Sequence, residues 1–334
     1  NDDTISHFTM GSTANFSTIQ KKLLSEFELK ELIVAGLFNK NQNSKLFFMN
    51  RIMVPIVNLQ NRVLGFGARV IDQSLPKYIN TAETKVFKKK QILFNEKILD
   101  KHTNKKLILV EGYFDVIKLH QSGIQNCIAP LGTAINHEKL IELTKKGFEI
   151  IVCLDGDTAG RNASIRLMNN LLSSENFELG IKFVLLPKNY DPDLLLDSNL
   201  KEQLNKLLDN PLNIEQLIEK YLEKYNYSQN IDEKFKGSKI LKNLLSTVAN
   251  KDLKKILNDY FSEIKKSQNY KSKRNTSINS QIEIKNDLKS KFSAALIIFF
   301  IENPSSRERV FDLIATAKFD RKFKEIRDQI IKKT

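Results

Sequence analysis

The chain has 334 residues, 28% of them charged, with 53 Lys and Arg against 39 Asp and Glu and a formal net charge of +14. Two cysteines exclude a disulfide scaffold, and together with four histidines at no ordinary ligand spacing they leave no zinc site. No stretch reads as a signal peptide, and the apolar run Ala294 to Ile301 is too short to span a bilayer, so a cytoplasmic protein without membrane contact is expected.

The positive balance suits a surface that grips nucleic-acid phosphates, and equally a plain solubilising charge in a Lys- and Asn-rich chain; composition alone does not separate the two. The opening Asn1-Asp2-Asp3 reads as the start of a piece of a longer protein. Helical periodicity runs from Thr18 to Leu37, and residues 51–57 and 63–70 alternate as a hairpin around Gln60-Asn61-Arg62. A loop with Pro76-Lys77-Tyr78 follows, then a basic cluster at Lys85, Lys88, Lys89 and Lys90. From Leu107 to Pro187 strands (107–111, 126–131, 149–154, 183–187) alternate with helices (114–121, 136–146, 161–172), the signature of βαβ units and a parallel sheet. Beyond Asn199 the pattern is helical, with breaks near Pro211 and Tyr227-Ser228; Lys266 to Ser280 reads as a linker. The expected fold is α/β, divided as a small mixed α+β subdomain (1–105), a parallel sheet flanked by helices (106–200), a helical subdomain (201–265), a linker (266–280) and a helical C-terminal segment (281–334).

Carboxylates follow three apolar strand runs: Glu111 and Asp115 after Leu107-Val110, Asp155 and Asp157 after Ile150-Leu154, and Asp191 and Asp193 after Phe183-Pro187. In an open α/β sheet the ligand crevice lies beyond the carboxyl ends of the strands, so these groups meet in one small volume. Like charges that close need a cation between them, and oxygen-only donors suit a hard divalent ion bound with substrate phosphates. Individually the signals are weaker: Asp115 suits the first turn of any helix, Asp157 suits an N-cap, and Asp191-Pro192-Asp193 suits a turn.

Glu111-Gly112-Tyr113-Phe114-Asp115 with Asp155-Gly156-Asp157 resembles the Toprim signature of topoisomerases, primases and related nucleases. The segments Arg51 to Ile56, Gly65 to Arg69, Pro76 to Asn80, Leu131 to Ala134, Asp155 to Arg161 and Asp191 to Asp193 resemble, in order and spacing, the bacterial DnaG-type primases over residues 7–200. That resemblance implies a Toprim-type sheet and synthesis of short RNA primers on single-stranded DNA from ribonucleoside triphosphates. It implies Glu111, Asp155 and Asp157 as principal catalytic carboxylates, with Asp115, Asp191 and Asp193 completing a site for Mg²⁺ or Mn²⁺. It also implies nucleotide or template contacts from Lys77, Tyr78, Asn80 and Lys89, joined by Arg51 and Arg69 on one basic ridge. Further implied partners are the replicative helicase, for which the C-terminal segment is the candidate docking region, and a single-stranded DNA-binding protein, in a nucleoid-associated setting. Two departures stand out: Lys90 and Gln91 where the family has a small and then a basic residue, and no counterpart of the family's zinc ribbon. The alternatives are a Toprim nuclease or topoisomerase-like cleaver, against which the lack of a separate nucleophilic-tyrosine domain counts, and a non-catalytic single-strand or helicase-interaction module.

Overall fold

A computed structural model describes residues 1–264 except 40–44, 101–104, 133, 198–199 and 227–229. The expected linker and C-terminal segment lie outside the described residues. The chain divides into two units, Asn1–Leu257 and Asn258–Thr334; of the second, residues 258–264 are described and are helical.

In the first unit, α1 (Asp2–His7), β1 (Gly11–Ser12), α2 (Phe16–Glu26) and α3 (Leu29–Val34) lead into β2 (Arg51–Val57), β3 (Val63–Val70) and β4 (Tyr78–Asn80). The single helix expected over 18–37 is two, because Phe27 turns extended (φ −134°, ψ 149°) and Glu31 reaches back to accept from the Glu28 N–H at 3.1 Å, starting a new helix. Apolar period continues across the break, so periodicity could not reveal it. Strands β1 to β4 form an antiparallel sheet in chain order.

Next come β5 (Lys106–Leu109), α4 (Tyr113–Gln121), β6 (Cys127–Ile128), α5 (His137–Lys145), β7 (Glu149–Leu154), α6 (Thr158–Leu172) and β8 (Ile181–Leu185). Their strands make a wholly parallel sheet in the order β6-β5-β7-β8. Ile108, Ile151 and Val184 face one core, and their neighbours Leu107, Ile150 and Phe183 are buried as well, as a sheet covered on both faces requires. Asn136 caps α5 by accepting from the Glu138 N–H at 3.0 Å. Helix α6 starts before the expected Arg161 because Asp157 caps it, accepting from the Gly160 N–H at 2.8 Å. Strand β8 ends before Pro187, which has no N–H to give the ladder.

Helices α7 (Pro192–Asp197), α8 (Lys201–Asp209), α9 (Ile214–Asn226) and α10 (Ile231–Thr247) complete the unit. Strand β8 is covered at its edge by the segment after α8, where Phe183 and Leu212 exchange backbone hydrogen bonds of 2.8 and 2.7 Å. The two sheets share one apolar core, in which Val54 and Ile56 join Ile108, Val116 and Ile151. Tyr113 ties them, its hydroxyl donating to the Ala68 carbonyl at 3.3 Å. Cys127 and Cys153 are free and buried. Among the described residues no helix is long and apolar enough to cross a membrane.

Candidate active site

The connections leave the parallel sheet in opposite directions from its two central strands: β5 leads by α4 to β6 on one side, and β7 by α6 to β8 on the other. A crevice opens where such connections diverge, at the carboxyl ends of the strands. Glu111 and Asp155 stand there. Register pairs Leu109 with Val152, which brings Glu111 level with the end of β7, and Glu111 Oε1 accepts the Asp155 N–H at 3.1 Å.

The other carboxylates surround this pair. Asp115 lies at the third position of α4 and accepts the Gly112 N–H at 2.9 Å, so its first-turn role and its place in the crevice coincide. Asp157 is exposed and caps α6 with one oxygen. Asp191 Oδ1 accepts the Leu194 N–H at 2.6 Å at the start of α7, and Asp193 lies 3.0 Å from the Lys118 ammonium. Two loops are welded together behind them: the Gly156 N–H donates to the Tyr190 carbonyl at 2.7 Å, and a Cβ at 156 would stand 1.9 Å from the Pro187 carbonyl oxygen.

Electrostatics binds the group into one system. Burial, then repulsion from Glu111, Asp115, Asp191 and Asp157, pushes Asp155 up to about 7. Burial, then Asp191, Asp193 and Glu111, pushes Asp115 up to about 6, although the Gly112 N–H opposes it. Glu111 is raised for the same reasons, burial first and then Asp157 and Asp191, against the Asp155 N–H. Burial is the first cause for all three and mutual repulsion adds to it, and the donors are all hard oxygens. Among the described residues no group of three or more His, Cys, Asp or Glu side chains is placed to hold a metal ion by itself.

The basic and polar residues expected at the site take unequal places. Tyr78 is 43% exposed, and Arg69 lies between it and Phe114, 5.6 and 5.3 Å from the two ring centres. The Lys77 ammonium sits 5.4 Å from the Tyr78 ring centre. Asn80 donates to the Leu131 carbonyl at 3.1 Å while its Oδ1 is buried with no partner. Lys89 follows a turn whose backbone is held by Glu83, which accepts the Lys89 N–H at 3.0 Å. The sequence reading puts Arg51 on this ridge; the structure buries it instead, and its guanidinium donates to the carbonyls of Pro76 at 3.0 Å and Lys77 at 3.4 Å. Arg51 supports the loop that presents Lys77 and Tyr78. The departure at Lys90 is accommodated locally, since the side chain is exposed and its carbonyl accepts from the Asn136 side chain at 2.9 Å.

Known proteins match this architecture. A family model described as the DNA primase catalytic core, N-terminal domain, matches residues 1–99, and a Toprim domain model matches 105–181. The DNA primase of Rickettsia conorii is 38% identical over 258 residues, covering 76% of this chain and 43% of that protein. The DNA primase of Clostridium acetobutylicum is 39% identical over 186 residues, covering 55% of this chain and 31% of that protein. The E. coli primase catalytic core superposes with a TM-score of 0.65 at 27% identity, covering 79% of this chain and 86% of that one. A DnaG primase catalytic domain solved bound to single-stranded DNA gives 0.64 at 28% identity, covering 77% and 82%. The chain belongs to the DnaG primase family. It spans less than half the length of the Rickettsia primases it matches.

Two residues of this DnaG core have a place that the motifs do not assign, although Arg161 closes one of them. Arg161 donates from Nε to the Gly156 carbonyl at 3.3 Å and from Nη2 to the Leu186 carbonyl at 3.2 Å, bracing the two loops that carry Asp155, Asp157, Asp191 and Asp193. Lys118, one turn beyond Asp115 on α4, reaches both Asp193 and Asp197. A basic residue three positions after a candidate metal ligand on a helix is the signal that could have flagged it.

Proposed function

We propose that this chain carries the nucleotidyl-transfer core of a DNA primase, making short RNA primers on a single-stranded DNA template from ribonucleoside triphosphates. The observation that carries the reading is the group of mutually repelling carboxylates at the diverging strand ends, with Asp155 pushed up to about 7. Hard carboxylate donors suit Mg²⁺, which keeps waters and takes one or two carboxylates together with substrate phosphates; Mn²⁺ would substitute. When bound, such cations would supply activation of the attacking 3′-hydroxyl and neutralisation of the triphosphate and of its pyrophosphate leaving group. Glu111 and Asp155 hold them at the floor of the crevice, Asp157 offers the oxygen not used in capping α6, and Asp115, Asp191 and Asp193 complete the outer acidic wall. Tyr78 offers a stacking face steadied by Arg69, Lys77 and Lys89 contact phosphates, and Asn80 Oδ1 accepts from the nucleotide or template.

We assign the replicative helicase and a single-stranded DNA-binding protein as partners, which places the protein at the nucleoid in the bacterial cytoplasm. The segment 281–334 is the proposed helicase contact, and equal helicase capture after its deletion would remove that assignment. The core is tested by incubating the protein with single-stranded DNA, labelled ribonucleotides and Mg²⁺ or Mn²⁺ without primer. Short RNA made by the parent and absent with Asp155→Asn supports the reading. Cleavage of the DNA in the absence of nucleotides points to the nuclease alternative, and DNA binding without any product to the binding module.

A further inference from the structure

The Lys118 ammonium sits against two carboxylates of α7. It donates a hydrogen bond to Asp197 Oδ1 at 2.8 Å and lies 3.0 Å from Asp193 Oδ1. That Asp193 oxygen is shielded from solvent, although its side chain as a whole is 47% exposed against 62% for Asp197. Asp193 is electrically part of the crevice, since it repels Asp115; Asp197 does not figure among the groups that act on Asp115, Glu111 or Asp155. The one cation in contact with the outer acidic wall among the described ion pairs therefore comes from the protein itself, and it is already aimed at a second acceptor outside the site.

Resting on the reading of the crevice as a divalent-cation site, we propose that Lys118 is a resident counter-ion that occupies Asp193 and moves onto Asp197 when a second divalent cation takes its place. Helix α4 thus carries both a proposed ligand, Asp115, and, three residues on and on the same side, the group that guards Asp193 in the same acidic wall. In the resting protein the pair lowers repulsion in the outer wall; on loading, Asp197 keeps the displaced ammonium neutralised, so the exchange strands no charge. The effect falls on the weaker of two bound cations, because Glu111 and Asp155 do not touch Lys118.

The test is Mn²⁺ binding to the whole chain, counted by electron paramagnetic resonance and measured by calorimetry at fixed pH and ionic strength. Lys118→Met and Lys118→Gln should each tighten the weaker Mn²⁺ about fivefold, the worth of a part-exposed ion pair. Asp197→Asn, which leaves the ammonium nowhere to go but Asp193, should weaken it. The decisive variant is Lys118→Met with Asp197→Asn, whose net charge equals the parent's: tightening that persists there supports competition. A return to the parental value means only the general field of charge matters, and overturns the proposal. Unchanged affinity in both single lysine variants overturns it too, with two cations still bound. A parent chain that binds no Mn²⁺ sinks the metal reading beneath it, a distinct result.

Discussion

Gly160→Ala sets two effects of opposite sign against each other. In a helix interior alanine is favoured over glycine by about 1 kcal/mol, so propensity alone predicts a more stable α6. A Cβ at 160, however, would lie 2.2 Å from the Asp155 carbonyl oxygen and 2.7 Å from Glu111 Oε1. The nearer atom is backbone and cannot rotate away, so α6 must lift off the strand end, an overpacking cost of about 2 kcal/mol. Moving Glu111 also strains its bond from the Asp155 N–H, which is 3.1 Å long, and a bond to a charged acceptor is worth about 1.5 kcal/mol. The balance is a loss of about 2 to 3 kcal/mol, or roughly 5 to 10 °C in Tm for a unit of this size. Primer synthesis should fall by about a hundredfold or more, because a shift of about 1 Å in positioning costs that much. Thermal unfolding by circular dichroism and ribonucleotide incorporation measure the two, with Gly11→Ala, where a Cβ meets nothing within 4 Å, as the control. A Gly160→Ala protein with raised Tm and full synthesis would refute the reasoning, since it would mean the approach of α6 to Glu111 is not held.

Asp155 and Asp115 keep protons to about 7 and about 6 when folded, above their unfolded values, so the folded state binds more protons across that window. Their contribution to stability is complete below about pH 4 and is lost progressively as pH rises from there to about 7; unfolding scans in chelator should show it, and a flatter response with Asp155→Asn identifies the group. Mg²⁺ binds the deprotonated forms, so its stabilising shift in Tm should grow over the same interval, and a shift independent of pH would exclude these carboxylates as ligands. Tyr78→Ala removes one stacking face and should weaken single-stranded DNA binding about tenfold with little change in salt dependence, whereas Lys77→Met should lower the salt slope; fluorescence anisotropy across a salt series separates the two. Arg51→Met removes the guanidinium donor from the Pro76 carbonyl and leaves the Lys77 carbonyl only the Val70 N–H, and should cost about 2 kcal/mol and loosen template binding together. Weakened binding at unchanged Tm would return Arg51 to the ridge.

What could be read from the chain by itself was local. Apolar runs of strand length, each closing on a carboxylate, announce a parallel sheet with an acidic edge, because strand period and the turn residues after it are properties of neighbours in sequence. Asp157 could be read in two ways: the structure shows the cap, one oxygen accepting from the Gly160 N–H, and brings the residue near enough to repel Glu111 and Asp155, while its part in a metal site is a proposal. Tertiary structure alone decided the rest. Phe27 breaks a helix whose apolar period runs on unbroken, since the period reports a buried face and not the backbone angles beneath it. Arg51 and Arg69 lie on the same two-stranded ladder and look alike in sequence, yet one faces inward to a loop 25 residues away and the other outward to Tyr78. Lys118 meets Asp197 across 79 residues of chain, and Arg161 meets Leu186 across 25. Charge, burial and partner at such positions depend on which segments the packed core brings together, and that information is spread over the whole sequence.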